Sequence, residues 1–493
     1  MKPHALLAGL VALLAGGCSP PEGVSPGCDV VLVVIDTLRA DALSCYGNPR
    51  PTSPGLDALA AGGVRFDEAW AQAPNTATSH ATLFTGLYPW AHRVANLTSR
   101  DHGTAGLPPA FETLAERFAA AGYETAAFTD GGPLGEAWNL CQGFERLEAR
   151  YEGVAAKVDQ ALAFLETRDP ARPLFLFLHT YQTHLPYLAP PEWADRFDPD
   201  YDGILRQAAA RVRAQRAEGA EVQPDGQLLL ADRERFGPRD VEHLLALYHG
   251  EVAYTDHELG RLWDSLRARG SLDRTLVVVT SDHGEEFGEH GRFGHHQLHR
   301  ETQRVPLILR FPGGSAALGA GTVVGEPVGL LDLFPTLLEA AGLEPGPDTG
   351  ARSLLPGLRR GRVKPRPIFA ETTEHLYPFD GRELPFRRSL RHDGRAFLAT
   401  RQGGVEELAV YDLAADPGET APLYEASAPA GAFPGEGRGR LMARADAEAV
   451  SRHLAREERR RLELLEGRSA AFVRRPDEET LRQFEALGYT GER

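Results

Sequence analysis

The chain has 493 residues, 42% of them hydrophobic and 25% charged, the profile of an ordinary globular protein with room for two or three domains. Its formal net charge is −16, so its long-range field repels polyphosphate backbones and argues against a nucleic-acid partner. A small anionic substrate held in a local basic site stays compatible with that charge.

Met1–Gly17 carries one lysine, Lys2, then the apolar run Ala5–Leu14. That run is too short to cross a bilayer and suits the h-region of a secretory signal. Ala15-Gly16-Gly17 directly before Cys18 resembles a bacterial lipoprotein cleavage site. The resemblance implies removal of 1–17, lipidation of Cys18 and a tether over 18–28. The protein would then sit in a bacterial cell envelope, anchored to the membrane by its N-terminal lipid and facing the periplasm or the outside. An ordinary signal peptide cut nearby is the alternative. Cys28, Cys45 and Cys141 match no zinc-ligand spacing, and no disulfide can be assigned among them.

Asp29–Ile35 (DVVLVVI) reads as a buried strand, apolar from Val30 onward, and it ends at Asp36. Pro74–Pro89 (PNTATSHATLFTGLYP) places Asn75, Thr76, Thr78 and Ser79 before a helix-like stretch. These residues read equally as helix caps or as a nucleophile with anion-binding amides. Phe111–Ala121 reads as a helix, Tyr123–Thr129 as a strand and Ala155–Leu165 as a helix. Leu174–Leu178 is a buried strand leading to His179 and His184. Phe197–Phe236 is polar and Arg/Ala/Glu-rich, a predicted helical insertion near a site mouth. Arg239–Arg269 reads as one long helix or two, with Asp256 and His257 expected to face solvent.

Thr275–His296 (TLVVVTSDHGEEFGEHGRFGHH) then gives a second uninterrupted strand ending in Asp282 and His283. Glu285, Glu286, Glu289, His290, His295 and His296 crowd the loop after it. Two buried strands that both end in aspartate can bring both carboxylates to the edge where open α/β sheets bind ligands. Asp36, Asp282 and His283 would offer hard oxygens and an imidazole to a divalent cation. Val305–Phe311 is a further strand, and Val328–Gly342 a helix with Gly342 as its cap. Residues 29–344 form the predicted catalytic domain and 345–366 a linker. Residues 367–493 form a C-terminal domain with short strands at Pro367–Ala370, Ala396–Thr400 and Leu408–Tyr411 and a charged helix at Leu441–Leu465.

Five stretches in this order, IDTLRAD, SHATLFTGLYP, SDHGEEFGEHG, RVPLILRFPG and LLDLFPTLLEAAG, resemble the sulfatase family of the alkaline phosphatase superfamily. YDLAADPGE (Tyr411–Glu419) resembles the family's C-terminal region. The resemblance implies an α/β fold: an alkaline-phosphatase-like α/β/α sandwich with a mixed, mostly parallel sheet, plus a smaller C-terminal α+β domain. It also implies an ester-cleaving hydrolase or transferase. Aligned on Ser79 and TLFTG, the C/S-x-P-S-R motif of true sulfatases places Thr76 where Cys or Ser is oxidised to formylglycine. Thr78 replaces the Pro and His80 the Arg, and the Lys/His pair expected after Tyr123–Thr129 is not visible.

These departures favour phosphate-type esters attacked by Thr76 itself, as in the superfamily's threonine-nucleophile phosphodiesterases and phosphoethanolamine or phosphoglycerol transferases. The implied metal ligands are Asp36, Thr76, Asp282 and His283 around one divalent cation, Ca²⁺, Mn²⁺ or Zn²⁺. The implied catalytic residues are Thr76, His184 and His295. Ser79, His80, His184, His295 and His296 would bind substrate, with His299 a fallback for His295. A second ion at His184 and His295 is the alternative to direct anion binding. The expected substrate is a small anionic ester or a glycan or lipid head group. Sulfuric ester hydrolysis and a non-catalytic envelope binding lipoprotein are the competing readings.

Overall fold

Runs of Val, Leu and Ile with no polar interruption set the centre of the molecule. Nine strands form one sheet: β1 (Asp29–Ile35), β2 (Val64–Trp70), β3 (Glu124–Thr129), β4 (Arg146–Ala149), β5 (Leu174–Thr180), β6 (Thr275–Thr280), β7 (Arg304–Arg310), β8 (Thr322–Val324) and β9 (Val328–Gly329). The computed structural model describes residues 25–99, 103–217, 233–313, 318, 320–346, 349–376, 384–429 and 472–474. The expected signal segment, Cys18, most of the tether, part of the insertion and the helix expected at Leu441–Leu465 lie outside the described residues.

The strand order is β8-β2-β7-β6-β1-β5-β3-β4, with β9 also paired to β2. The block β6-β1-β5-β3-β4 is parallel throughout, and β7 is antiparallel to both of its neighbours. Seven helices bear on the packing: α1 (Pro54–Ala61), α2 (Thr76–Thr85), α3 (Leu114–Ala120), α4 (Val154–Thr167), α5 (Ile204–Ala217), α6 (Pro238–Ala268) and α7 (Leu333–Ala340). Val30, Leu32, Val34, Phe175, Phe177, Leu276 and Val278 pack beneath α2, α3 and α7. The alternate residues Val31, Val33, Ile35, Leu176, Leu178, Val277 and Val279 pack beneath α1, α4 and α6. Both faces of the central strands are therefore dry, as their sequences require. The sandwich is the expected α/β/α fold.

Several elements differ from expectation for identifiable reasons. Arg239–Arg269 is a single helix of 31 residues, α6. Asp256 within it was expected to face solvent but is 4% exposed. Its carboxylate accepts the Gly55 and Leu56 amides at 2.8 and 2.7 Å and so caps the N-terminus of α1. Burial pushes that carboxyl up to about 6. The stretch expected as a helix from Val328 begins instead as β9 on β2, and the helix starts only at Leu333. β2 (VRFDEAW) went unpredicted because Asp67 and Glu68 interrupt its apolar pattern. Among the described residues of the insertion, α5 is helical as expected, and Phe236 at its far end meets Phe293 with ring centroids 5.8 Å apart.

The C-terminal domain is a five-stranded antiparallel sheet: β10 (Ile368–Glu371), β11 (Phe386–His392), β12 (Arg395–Gln402), β13 (Val405–Asp412) and β14 (Tyr424–Pro429). One buried charge network locks it to the catalytic domain. Arg391 on β11 donates to Glu419 at 2.7 Å, also bonds Gln303, and lies 4.5 Å over the Trp70 ring. The second Glu419 oxygen meets His299 Nδ1 at 3.1 Å and the Arg300 amide at 3.3 Å. Burial alone would raise the Glu419 pKa, but Arg391 and His299 overcome it and hold the carboxyl at about 2.

Removing one partner of such a pair costs roughly 3–5 kcal/mol, so Glu419→Gln should be that much less stable in denaturant unfolding. The folded pKa of about 2 lies below the ordinary 4.5, so this stabilisation is present above pH 4.5 and is lost as pH falls toward 2. The gap between wild type and variant should be constant near neutrality and shrink in acid. A gap that does not change with acidification contradicts the assignment.

Candidate active site and metal centre

Register brings the site together. Val34 on β1 lies opposite His179 on β5 and Thr280 on β6, so the three strands end side by side. Asp36, two residues past Val34, falls on the same face as His179, and Asp282 follows β6 at the same edge. Both carboxylates and His179 are fully buried. Thr37 directly after Asp36 sits at φ 55, a left-handed conformation that costs a β-branched residue about 1–3 kcal/mol. Its hydroxyl donates to the Thr183 carbonyl at 2.8 Å, and Tyr248 donates to its carbonyl at 2.9 Å, which holds the turn in place.

Helix α2 points its N-terminus at this edge. Asn75 caps it by accepting the Thr78 amide at 3.1 Å, and the Asn75 side chain in turn donates to Glu374 at 2.8 Å. Thr76 is thus the first residue of the helix, and its hydroxyl donates to Asp36 Oδ2 at 3.0 Å. The cap and the nucleophile readings of this segment fall on different residues: Asn75 caps, and Thr76 faces the carboxylate.

Ser79 and His80 face inward from α2, toward the end of β6. The Ser79 hydroxyl donates to the Asp282 carbonyl at 2.6 Å, a strut between α2 and the loop after β6. His80 Nδ1 lies 2.9 Å from the Thr76 carbonyl and 3.5 Å from Asp282 Oδ2, and the ring is fully buried. Positions three and four residues after Thr76 share its helix face and so turn toward the sheet. Burial pushes His80 down to about 3 and His179 down to about 4. Both are therefore neutral imidazoles, and the short His80–Asp282 approach is no ion pair.

Asp282 and His283 behave oppositely. Burial, reinforced by the Asp36 charge, raises the Asp282 carboxyl above the ordinary range. Burial would lower His283, but Asp282 and Asp36 hold it above its usual value. Asp36 Oδ1, Asp282 Oδ2 and His283 Nε2 are buried with no hydrogen-bond partner among the described residues. Orphans of this kind each cost roughly 1–3 kcal/mol. Asp36, Asp282 and His283 bring one ligand atom each to within 4.8 Å of one another, so the donor set fits a divalent cation.

The loop after β6 is pinned by close backbone contact. Gly284 donates to the Thr302 carbonyl at 2.8 Å, and a Cβ there would lie 1.9 Å from the Glu301 oxygen, so only glycine fits. His184 and His295 line the rim with ring centroids 5.2 Å apart, and His295 lies 4.5 Å from His283. His295 Nδ1 meets Glu285 Oε1 at 3.0 Å, and Tyr187 donates to Glu285 Oε2 at 3.4 Å. Glu285 is fully buried, and that burial pushes it up to about 7. Glu285 has no assignable role in the sequence alone, where only its place in a dense acidic and histidine loop points to it. His296 is exposed, 5.6 Å from the His295 ring. His299 is committed to Glu419 and stacks on His290 at 3.6 Å, so it does not reach the site. Cys28, Cys45 and Cys141 are free thiols.

The family model described as "Sulfatase" matches residues 29–343, and one described as "N-sulphoglucosamine sulphohydrolase, C-terminal" matches 288–431. An N-acetylglucosamine-6-O-sulfatase of Bacteroides thetaiotaomicron is 27% identical over 85% of this chain and 86% of its own length. A phosphonate monoester hydrolase of Agrobacterium radiobacter superposes with a TM-score of 0.65 at 23% identity, over 91% of this chain and 100% of that one. A structure solved with its substrate D-glucosamine-2-N,6-O-disulfate superposes with a TM-score of 0.64 at 23% identity, over 80% of this chain and 93% of that one. These two superpositions are a likeness of fold. With the family model covering 29–343, the chain belongs to the sulfatase family and is an ester-cleaving hydrolase of the alkaline phosphatase superfamily.

Proposed function

We propose that the protein cleaves phosphate-type esters by metal-assisted attack of Thr76, with water or an acceptor alcohol completing turnover. The observation that carries the reading is the Thr76 hydroxyl, held at the N-terminus of α2 and 3.0 Å from Asp36. A threonine hydroxyl is almost wholly un-ionised at neutral pH and needs activation. Asp36, Asp282 and His283 would hold a divalent cation, which would supply that activation by lowering the pKa of a nearby oxygen and offsetting oxyanion charge.

The residues around it have defined tasks. Asp36 orients the Thr76 hydroxyl and accepts its proton. Attack forms a bond from Thr76 Oγ to phosphorus and breaks the bond to the leaving oxygen. The first-turn amides of Thr76 and Ala77 precede the one Asn75 caps and face the anion at the positive helix end. His184 and His295 bind the anion at the rim. Glu285 engages His295 Nδ1, so a proton delivered to the leaving oxygen comes from Nε2. Sulfuric ester hydrolysis is the second reading, favoured by the family match and by the relative named a 6-O-sulfatase.

A panel of aryl sulfate, phosphate monoester, phosphodiester and phosphonate substrates separates the two. Phosphate-type substrates should exceed aryl sulfate in kcat/KM by about tenfold or more, a transition-state difference of about 1.4 kcal/mol. The reverse order returns the sulfatase reading, and inactivity on every substrate returns the non-catalytic one. Thr76→Ala should lower kcat at least roughly 10³-fold, whereas Thr76→Ser keeps the hydroxyl and should stay within about tenfold. Near-wild-type rates in Thr76→Ala end the assignment.

Metal linkage gives an independent check. Cation at a hundredfold excess over Kd should stabilise wild type by about 2.7 kcal/mol. Asp282→Asn should lose that gain. Stripped of metal it should be at least as stable as stripped wild type, because it no longer buries a second carboxylate beside Asp36. An equal metal-dependent shift in both proteins contradicts the site.

Lipid attachment at Cys18 is likewise proposed from the Gly-Gly-Cys sequence. No helix among the described residues is long and apolar enough to cross a membrane. Mass spectrometry of the mature N-terminus should find a modified Cys18, and a free amine at any other residue ends that proposal.

A further inference from the structure

Two arginines near the cleft have no task in the chemistry above. Arg292 is exposed on the turn of a short hairpin that pairs Glu286–Phe287 with Phe293–Gly294 and leads directly into His295. Arg387 is half-buried on β11, where its amide donates to the Thr372 hydroxyl at 3.0 Å and its carbonyl accepts the Thr372 amide at 3.0 Å. Thr372 runs into Thr373 and Glu374, which hold the start of α2 through the Val94 carbonyl, the Thr78 hydroxyl and Asn75. One arginine therefore stands three residues before a rim histidine, and the other sits one strand pairing from the clamp on the Thr76 helix.

Gln297 joins the two elements. It donates to Glu286 at 3.3 Å and lines, together with Arg387, a cavity of about 440 Å³ between the loop after β6 and the C-terminal sheet. The cavity floor follows the sheet register, with Arg387 beside Thr400, Thr400 beside Glu407 and Glu407 beside Ser427. Its positive end is thus the one beside Thr372 and α2, and the carboxylates of Glu407 and Glu425 lie further along.

Among the described residues, neither guanidinium donates a hydrogen bond or meets a carboxylate at ion-pair distance. Arginines alongside differ: Arg388 pairs with Glu406 at 3.0 Å and Arg391 with Glu419 at 2.7 Å. The carboxyl groups whose charge reaches Arg387 are Glu374 and Glu286, and neither is free to balance it. Glu374 is spent on Asn75 and the Thr373 amide, at 2.8 and 3.0 Å, and burial raises its pKa. Burial pushes Glu286 up to about 8, so near neutrality it is mostly the uncharged acid. Loss of solvent, and after it the Arg292 charge, work against the ionisation of Arg387. A guanidinium stays protonated all the same. The protein therefore keeps an uncompensated cation facing a second one, an arrangement that an arriving anion relieves.

We propose that Arg292 and Arg387 form a subsite for a second anionic group of the substrate, a sulfate, phosphate or carboxylate on the same molecule as the ester attacked by Thr76. The inference rests on the reading that the ester anion binds at the first turn of α2, and it makes the substrate at least doubly charged. Guanidinium forks match the paired oxygens of all three anions. A singly charged ester leaves the two like charges facing each other, so the pair acts as a specificity device.

The test is calorimetric binding to the full chain of straight-chain alkylphosphonates, each matched in length with the phosphonate that ends in a carboxylate. The phosphonate occupies the ester-anion site, and the carboxylate reaches for the arginines. Across the series, one length should bind at least about tenfold tighter than its uncharged match. Arg387→Gln and Arg292→Gln should each remove most of that gain and leave methylphosphonate within about twofold of wild type. Arg292 is exposed, so its variant decides the matter if Arg387→Gln fails to fold. Methylphosphonate binding with no gain from the carboxylate at any length overturns the subsite and leaves the ester site standing. A gain that survives in the double variant overturns it equally. No binding of any phosphonate to wild type overturns the ester-site reading and the subsite with it.

Discussion

Parallel pairing of β1 with β6 forces two buried carboxylates, Asp36 and Asp282, to share one edge of the sheet. Everything nearby reads as compensation for that juxtaposition. Two like charges out of water oppose each other, which is why Asp282 resists ionisation. His283 is held up by the same two charges, and the Thr76 hydroxyl lies against Asp36 because a carboxylate oxygen there needs a donor. The residual orphans are those a cation would satisfy. The contact of Thr76 with Asp36, the candidate metal ligands and their charge balance are consequences of one strand register.

Reach over substrate comes from further away. The loop after β6 carries Glu285 and His295, and Gly284 and Glu285 fix its start by pairing with the backbone of Glu301 and Thr302. Its far end, near His299, is tied to Glu419 and so to the C-terminal sheet. Glu374, also C-terminal, steadies the Asn75 cap beside Thr76. The small domain therefore holds both the loop after β6 and the start of α2, and neither tether reaches the two aspartates.

What the sequence made legible follows from physics that acts locally. β1 and β6 announced themselves because a strand covered on both faces admits no polar residue, and each then ended in an aspartate at the ligand edge. Thr76 emerged from a motif alignment and a helix start. The inward turn of His80 and Ser79 was not legible, because an alignment column says nothing of which way a side chain points on α2. The approach of His179 to His80 was equally hidden, because it exists only once α2 lies over β5. β2 was hidden by Asp67 and Glu68 at a half-buried position of the sheet. Asp256 looked like a solvent-facing charge on a long helix, and only the packing of α1 against α6 reveals it as a cap.

The account stands or falls on the covalent step at Thr76, and the most direct measurement is rapid quenching followed by peptide mass spectrometry. Mixed with a slowly turned-over phosphate ester and stopped in acid, the enzyme should carry one phosphoryl group on the peptide containing Thr76. That adduct should form and decay at rates consistent with turnover. Full single-turnover product release with no adduct on Thr76, or an adduct on a different residue, would contradict it.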